Sequence, residues 1–299
     1  MKYVFIINPH SGNNEHNQLK DKITKHFKGK KIIIEKTTAP KQATIIAKSY
    51  ASNTTELIHM FACGGDGTIH EIVNGIAGCN HIILSIVPIG TGNDFIKSLD
   101  NYSKSDFLDL SKYDRPILMP CDLMLVNNEY AINTISLGFD VHVAKHVNTF
   151  RKKINIGGII PYYLGMLASL IKPLNEKLNI QIDNMQPQID NFTFAVFCNG
   201  KYYGGGYKPC PNALINDNFI DVCLIKNVKK HQIVRFAGKY KKGTHIEYDK
   251  QVSTYKANTI YIDTNDQPID VNLDGEVRSI ISPTIEIVGN AITLALPKR

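Results

Sequence analysis

Apolar residues in the first third of the chain fall in short unbroken runs, separated by stretches with a helical repeat. "YVFIIN", "KIIIEK", "LIHMFA" and "IILSIVP" read as strands, and their lack of alternation predicts burial on both faces. Leu19, Ile23 and Phe27 share one helical face within residues 15–27. A second helix is expected over 41–52, and a third carries Ile69, Ile72, Val73 and Ile76. Strand and helix in alternation predict a parallel α/β sheet with helices on both faces.

After Pro116 the period changes. "KLNIQID", "NTIYIDT", "IDVNLDG" and "TIEIVG" alternate apolar and polar positions, as half-buried antiparallel strands do. Two helices are expected among them. One spans 161–171, opening at Pro161 with Leu164, Leu167, Ala168 and Ile171 on one face. The other spans 228–241, with Ile233, Phe236, Ala237 and Tyr240 together and Gly243 as the stop. The expected organisation is an α/β domain over 1–120 and a β-rich domain over 121–285.

Composition adds limits rather than direction. The chain has 299 residues, enough for two cores, with 34 basic and 27 acidic side chains and a net charge of +7. Such a surplus favours anionic partners without choosing among nucleotide, nucleic acid and acidic lipid. Basic residues without interleaved stacking aromatics disfavour nucleic acid. The cysteines are dispersed, with no zinc-ligand spacing, and suit a reducing, cytoplasmic setting. The uncharged stretch 154–171 holds Pro161, three glycines and two tyrosines, which argues against a membrane span.

Three strand ends are rich in small hydrogen-bonding residues. "YVFII" runs into Asn8, Pro9, His10, Ser11 and Gly12; "LIHMFA" into Gly64, Gly65, Asp66, Gly67 and Thr68; "IILSIVP" into Gly90, Thr91, Gly92, Asn93 and Asp94. In a parallel sheet all these ends share one edge, where ligands bind. Thr68 and Glu71 have capping-box spacing, so a helix is expected to start just after the glycines, its N–H groups open to an oxyanion. One helix terminus contributes at most ~2 kcal/mol to anion binding, whereas micromolar affinity needs ~8 kcal/mol. Three converging loops and a divalent ion would suffice where one loop would not. Asp66 would repel phosphates unless a cation such as Mg²⁺ intervened. Read from the residues alone, Asp66 and Asp94 also serve as helix caps, Asp122 as a strand-edge charge, and Asp274-Gly275 as a hairpin turn.

GGDGT at 64–68, GTGNDF at 90–95 and NPHSG at 8–12 resemble the diacylglycerol kinase catalytic-domain family, which includes bacterial lipid kinases and is related to sphingosine kinases and NAD kinases. GGG at 204–206, PNALINDNFID at 211–221 and LDGE at 273–276 follow in that family's order. The resemblance implies an NAD kinase/phosphofructokinase-like α/β domain with a parallel sheet and a C-terminal antiparallel β-sandwich domain. It also implies ATP and Mg²⁺ as donor and cofactor, and a lipid hydroxyl, phosphorylated in a cleft between the domains, as acceptor. The last strand, near 286–299, would return to the first domain. Asn8, Pro9, His10, Ser11, Gly12, Thr37, Gly64, Gly65, Asp66, Gly67, Thr68, Ile69, His70 and Thr91 would contact ATP. Asp66, Asp94 and Asp122 would surround the catalytic Mg²⁺, with Glu276 as general base. Leu214, Asp217 and Phe219 would hold a second, structural Mg²⁺. Two positions depart from the family pattern: Asn218 stands where glycine is usual, and His70 where asparagine is frequent. An NAD kinase-like enzyme and a non-catalytic nucleotide-binding regulator are the competing readings, and a homodimer is left open. The basic clusters, Arg151 to Lys153 with Lys172 and the lysines and arginine of 228–241, are each solvated faces on the simplest view. As a hypothesis they hold the protein peripherally on anionic membrane.

Overall fold

The computed structural model describes residues 1–12, 15–153, 165, 168–169 and 173–299. The helix expected at 161–171 lies outside the described residues, apart from Gly165, Ala168 and Ser169, as do Lys172 and the side chains of 151–153. Two compact units are present, residues 1–123 with 289–299, and residues 124–288.

In the first unit β1 (Lys2–Ile7), α1 (Glu15–His26), β2 (Ile32–Lys36), α2 (Gln42–Asn53), β3 (Ile58–Gly64), α3 (Asp66–Ile76) and β4 (Ile82–Pro88) alternate, and a short helix α4 (Lys104–Leu108) follows. The strands are parallel in the order β2-β1-β3-β4, with Phe5 level with Phe61 and Met60 level with Leu84. Every residue of β3 is buried, as its unbroken apolar run requires. On one face Phe5 and Phe61 stack at 4.3 Å, and Phe27 of the chain just past α1 packs edge-on to Phe5 at 5.2 Å. Against α3, α2 comes so close that a side chain at Gly75 would stand 2.6 Å from Ala47 Cβ.

The second unit is antiparallel. It contains β6 (Glu129–Ala131), β7 (Thr134–Gly138), β8 (Glu176–Ile182), β9 (Gln188–Cys198), β10 (Ile220–Lys226), β11 (Val252–Ala257), β12 (Thr259–Asp263), β13 (Pro268–Leu273) and β14 (Glu276–Ile281). The chain passes from the first unit to the second within β5 (Ile117–Val126) and returns within β15 (Thr284–Leu296); β15 pairs with β12 through Thr284 to Glu286 and with β4 through Thr293 and Leu294. The alternating β8 buries Leu178, Ile180 and Ile182 on one side only. By contrast β9 is buried continuously from Phe192 onward. There Phe192, Ala195 and Phe197 join the sandwich core, while Phe194, Val196 and Cys198 lie under α5 (Phe139–Lys153) and α6 (Ile233–Lys242).

Of these two helices, α6 occupies the last part of the expected 228–241 stretch, preceded by a 3-10 turn at Lys230–Gln232, and ends at Gly243 with φ 78°. Sequence patterning gave no sign of α5. Its first turn buries Phe139, Val141 and Val143 at every second position together with Asp140, so it mimics a strand.

Within the first unit His59 is fully buried, stacked 4.2 Å from Phe61, with Nε2 2.8 Å from Ser85 Oγ. The Ser85 hydroxyl donates to Ala295 O at 2.6 Å, so its oxygen accepts from a neutral His59. Burial, helped by nearby Lys30, lowers the His59 pKa to about 3. An unfolded histidine protonates near 6.5, so the folded state is favoured fully above that pH and loses stability as pH falls toward 3. Lowering pH from 7.5 to 5.5 is expected to remove ~1.4 kcal/mol through this residue. Urea unfolding at the two pH values checks it, with a shallower loss expected for His59→Asn.

Candidate active site

The rim at the carboxyl ends of β1, β3 and β4 is built by close backbone approach. A Cβ on Gly90 would stand 2.4 Å from Gly65 Cα, and the Gly90 N–H donates to Gly64 O at 3.1 Å. A side chain at Gly90 would strike the Gly65 backbone, and one at Gly65 would stand 3.3 Å from Gly90 Cα. Asn93 fixes the third loop, with φ 49° and Nδ2 donating to Gly90 O at 2.6 Å. The first loop joins through Asn8, whose N–H donates to Cys63 O at 2.9 Å and whose Nδ2 donates to Thr68 Oγ1 at 3.2 Å. Asn8 Oδ1 accepts from the His10 N–H at 3.0 Å, which shapes the turn toward Gly12. Thr37 is buried at the end of β2, its N–H donating to Ile7 O at 3.0 Å.

One local expectation is corrected. Thr68 and Glu71 do not form a capping box. The helix begins at Asp66, with Gly65 as an N-cap that offers no side-chain bond. Glu71 instead accepts from Lys41 N at 2.9 Å and Ala43 N at 3.0 Å, satisfying the start of α2. The start of the neighbouring helix supplies two unpaired backbone donors that compete successfully for the carboxylate.

Asp66 Oδ1 accepts from the Phe95 N–H at 3.1 Å. Its Oδ2 would stand 3.0 Å from a Cβ on Gly92, and Asp94 Oδ2 3.9 Å from the same point. The open side of Gly92 is therefore bordered by two carboxylate oxygens, with Lys97 Nζ 2.6 Å from the other oxygen of Asp94. Carboxylate oxygens are the ligand type that a hard divalent ion such as Mg²⁺ takes together with phosphate, so Asp66 and Asp94 could hold one. Asp122 is fully buried, and its Oδ1 accepts from Asn290 N at 2.8 Å. Among the described residues no three acidic, histidine or cysteine side chains form a metal-binding group. Thr91 and Gly67 are exposed, and the side chains of Thr68, Ile69 and His70 are buried.

In the second unit Glu276 opens β14, directly after a two-residue turn in which Asp274 has φ 50° and Gly275 φ 99°. Both values suit the type I′ hairpin that Asp-Gly favours. The Glu276 side chain is 56% exposed, with Oε2 3.5 Å from an Arg278 nitrogen. Arg278 itself is gripped by Glu129 at 2.9 and 2.8 Å. The turn is anchored by Asp274, which the sequence offered only as half of a hairpin turn, and by Asn272, which motif reading did not single out. Asp274 accepts from the N–H groups of Ile132, Asn133 and Thr134 at 2.8, 3.0 and 2.8 Å. Asn272 Oδ1 accepts from Gly275 N at 3.0 Å, and its Nδ2 reaches Ser136 Oγ and Asp140. Burial raises the Asp140 pKa, opposed by bonds from Ser136, Tyr203 and Asn272. The sequence carried one hint, the Asp-Gly pair, but not the long-range partners.

At 214–221, Asn218 adopts φ 61°, the left-handed conformation that glycine would otherwise supply. The side chains of Leu214 and Phe219 are exposed. Asp217 Oδ1 accepts from Phe219 N at 3.2 Å, and its Oδ2 is paired with Lys256.

Asp274→Ala strips an acceptor from three N–H groups on buried residues. A loss of ~2–4 kcal/mol in urea unfolding is expected, since buried donors left unpaired cost about 1–3 kcal/mol each and relax in part.

Comparison with known proteins follows these two halves. Residues 2–125 match the family model described as the diacylglycerol kinase catalytic domain, and residues 133–296 the YegS C-terminal NAD kinase beta sandwich-like domain. A diacylglycerol kinase of Bacillus subtilis (strain 168) is 29% identical over 265 residues, covering 88% of this chain and 85% of that protein. One from Mycobacterium tuberculosis (strain H37Rv) is 27% identical, covering 85% and 81%. A solved structure from Bacillus anthracis str. Sterne, described as a candidate diacylglycerol kinase, superposes with a TM-score of 0.78 at 25% identity, over 99% of this chain and 95% of that one. With both halves matched in order, the chain belongs to the diacylglycerol kinase catalytic-domain family and is a lipid kinase.

Proposed function

We propose that the protein transfers the γ-phosphate of ATP to a hydroxyl of diacylglycerol or a related lipid. The observation that carries this reading is the meeting of the three strand-end loops, with Asp66 and Asp94 bordering the same open side of Gly92. Backbone N–H groups at the start of α3 and glycines without side chains receive phosphate oxygens. Bound magnesium would be held by Asp66 and Asp94 and would neutralise charge on the phosphates.

Glu276 is the general base in this reading. Its carboxylate accepts the proton of the lipid hydroxyl as that oxygen bonds to the γ-phosphorus. The bond from phosphorus to the β,γ-bridging oxygen breaks, and ADP leaves with that electron pair. The Asp274 anchor fixes the turn that carries Glu276, and Arg278 lies 3.5 Å from its carboxylate; general-base catalysis requires such positioning. Phosphoryl transfer asks the protein for positioning and charge stabilisation, and the residues supply both.

The acceptor is apolar, so the protein works at a lipid surface. On α6, Ile233, Phe236 and Tyr240 face the core, while Arg235 and Lys242 are exposed, as are Lys229 and Lys230 just before it. Lys239 folds its amine over Tyr248 at 4.4 Å. Among the described residues no helix is long and apolar enough to cross a membrane. Peripheral attachment to anionic lipid through this basic stretch is part of the proposal.

Two measurements test it. With labelled ATP, Mg²⁺ and lipids in mixed micelles, Glu276→Gln is expected to lower kcat ~10²–10⁴-fold with KM for ATP nearly unchanged. Undiminished turnover in that variant, or transfer to NAD and to no lipid, would refute the assignment. In liposome sedimentation, Lys229, Lys230, Arg235 and Lys242 each contribute ~1 kcal/mol on anionic vesicles at low salt. Equal binding to neutral vesicles would remove the membrane part.

A further inference from the structure

The loop at 214–221 carries two carboxylates close together. The Asp217 side chain is 20% exposed and that of Asp221 12%, so neither is freely hydrated. Two such charges need a cation.

The fold already supplies one. Asp221 of β10 stands directly opposite Lys256 of β11 in the antiparallel register, flanked by Ile220 opposite Ala257 and Val222 opposite Tyr255. Directly paired residues project from the same face of a sheet, so backbone pairing fixes where Lys256 begins. Its ammonium bonds Asp217 Oδ2 and lies 3.4 Å from Asp221 Oδ2 and 5.6 Å from the Phe219 ring centre. The adjoining Asn258 donates from Nδ2 to Asn218 O at 2.9 Å, holding the left-handed residue of the loop. The side of the loop that faces β11 is thus secured by two residues of one segment.

We propose that Lys256 is the built-in cation of the 214–221 loop, which therefore holds its shape without a divalent ion. A dication on Asp217 would meet the Lys256 ammonium at Oδ2, and like charges at contact distance repel strongly; at Asp94, by contrast, Lys97 sits on Oδ1 while the oxygen that borders Gly92 is Oδ2. Asp217 Oδ1 is also engaged by the Phe219 N–H. The residues present do not fit the second, structural Mg²⁺ that the family resemblance implies for Leu214, Asp217 and Phe219.

The test needs no turnover, so its failure would leave the phosphoryl-transfer reading standing, and the converse. Thermal melting of nucleotide-free protein is compared in EDTA and in millimolar MgCl₂ for the natural chain, Lys256→Met and Asp217→Asn. The natural chain is expected to melt at the same temperature in both buffers. Lys256→Met is expected to melt lower in EDTA by about 2–4 °C, the shift of a ~1 kcal/mol loss in a unit of this size. Two outcomes overturn the proposal. One is a natural chain stabilised by magnesium, with that response abolished in Asp217→Asn. The other is Lys256→Met melting like the natural chain in EDTA. Should Lys256→Met fail to fold, the natural chain and Asp217→Asn still decide the question.

Discussion

The passage of one backbone against another at Gly65 and Gly90 is the constraint on which the first unit's rim depends. A methyl group on Gly90 would overlap Gly65 Cα, so the third loop must be bare at the contact, and one on Gly65 would crowd it at 3.3 Å. From that contact follow the start of α3 at Asp66, the reach of Asp66 to the Phe95 N–H, and the shared border of Asp66 and Asp94 at Gly92. Charge is concentrated where side-chain bulk is excluded. On the proposed reading that combination would receive phosphate together with a hard cation.

The second unit solves a different problem, holding an exposed carboxylate steady on a hairpin tip. Two-residue turns are mobile unless tied down, and here the tie is a second carboxylate. Asp274 gathers three N–H groups from residues 132–134, and Asn272 links the same turn to Ser136 and Asp140. Asp183 plays a parallel part elsewhere, accepting from Asn258 N and Thr259 N. Acidic residues in this unit serve backbone donors as much as chemistry. An acid in a motif is therefore not by itself a ligand, as the pairing of Asp217 with Lys256 illustrates.

Much of the architecture was legible in advance because burial leaves a periodic trace. The four unbroken apolar runs are the four parallel strands β1 to β4, and alternating segments such as β8 and β12 are antiparallel strands. Legibility failed where two layers cover one strand or where a helix mimics a strand. β9 and β10 lose their alternation because α5 and α6 cover their outer face, and α5 itself begins with apolar residues at every second position. The spacing of Thr68 and Glu71 suggested a cap, yet the carboxylate went to α2, since spacing records only local partners.

By itself the sequence determined the periodicities, the bare turns and the left-handed positions, including the Asp-Gly hairpin before Glu276 and the Asn218 turn. These are properties of a residue and its near neighbours, fixed by sterics and by burial. Only the tertiary structure decided partners: Asn8 with Thr68, Asp66 with Phe95, Asp274 with residues 132–134, and Lys256 with Asp217. Those pairs lie from 29 to 142 positions apart, and a hydrogen bond or ion pair depends on angstrom-scale distance that no local pattern encodes.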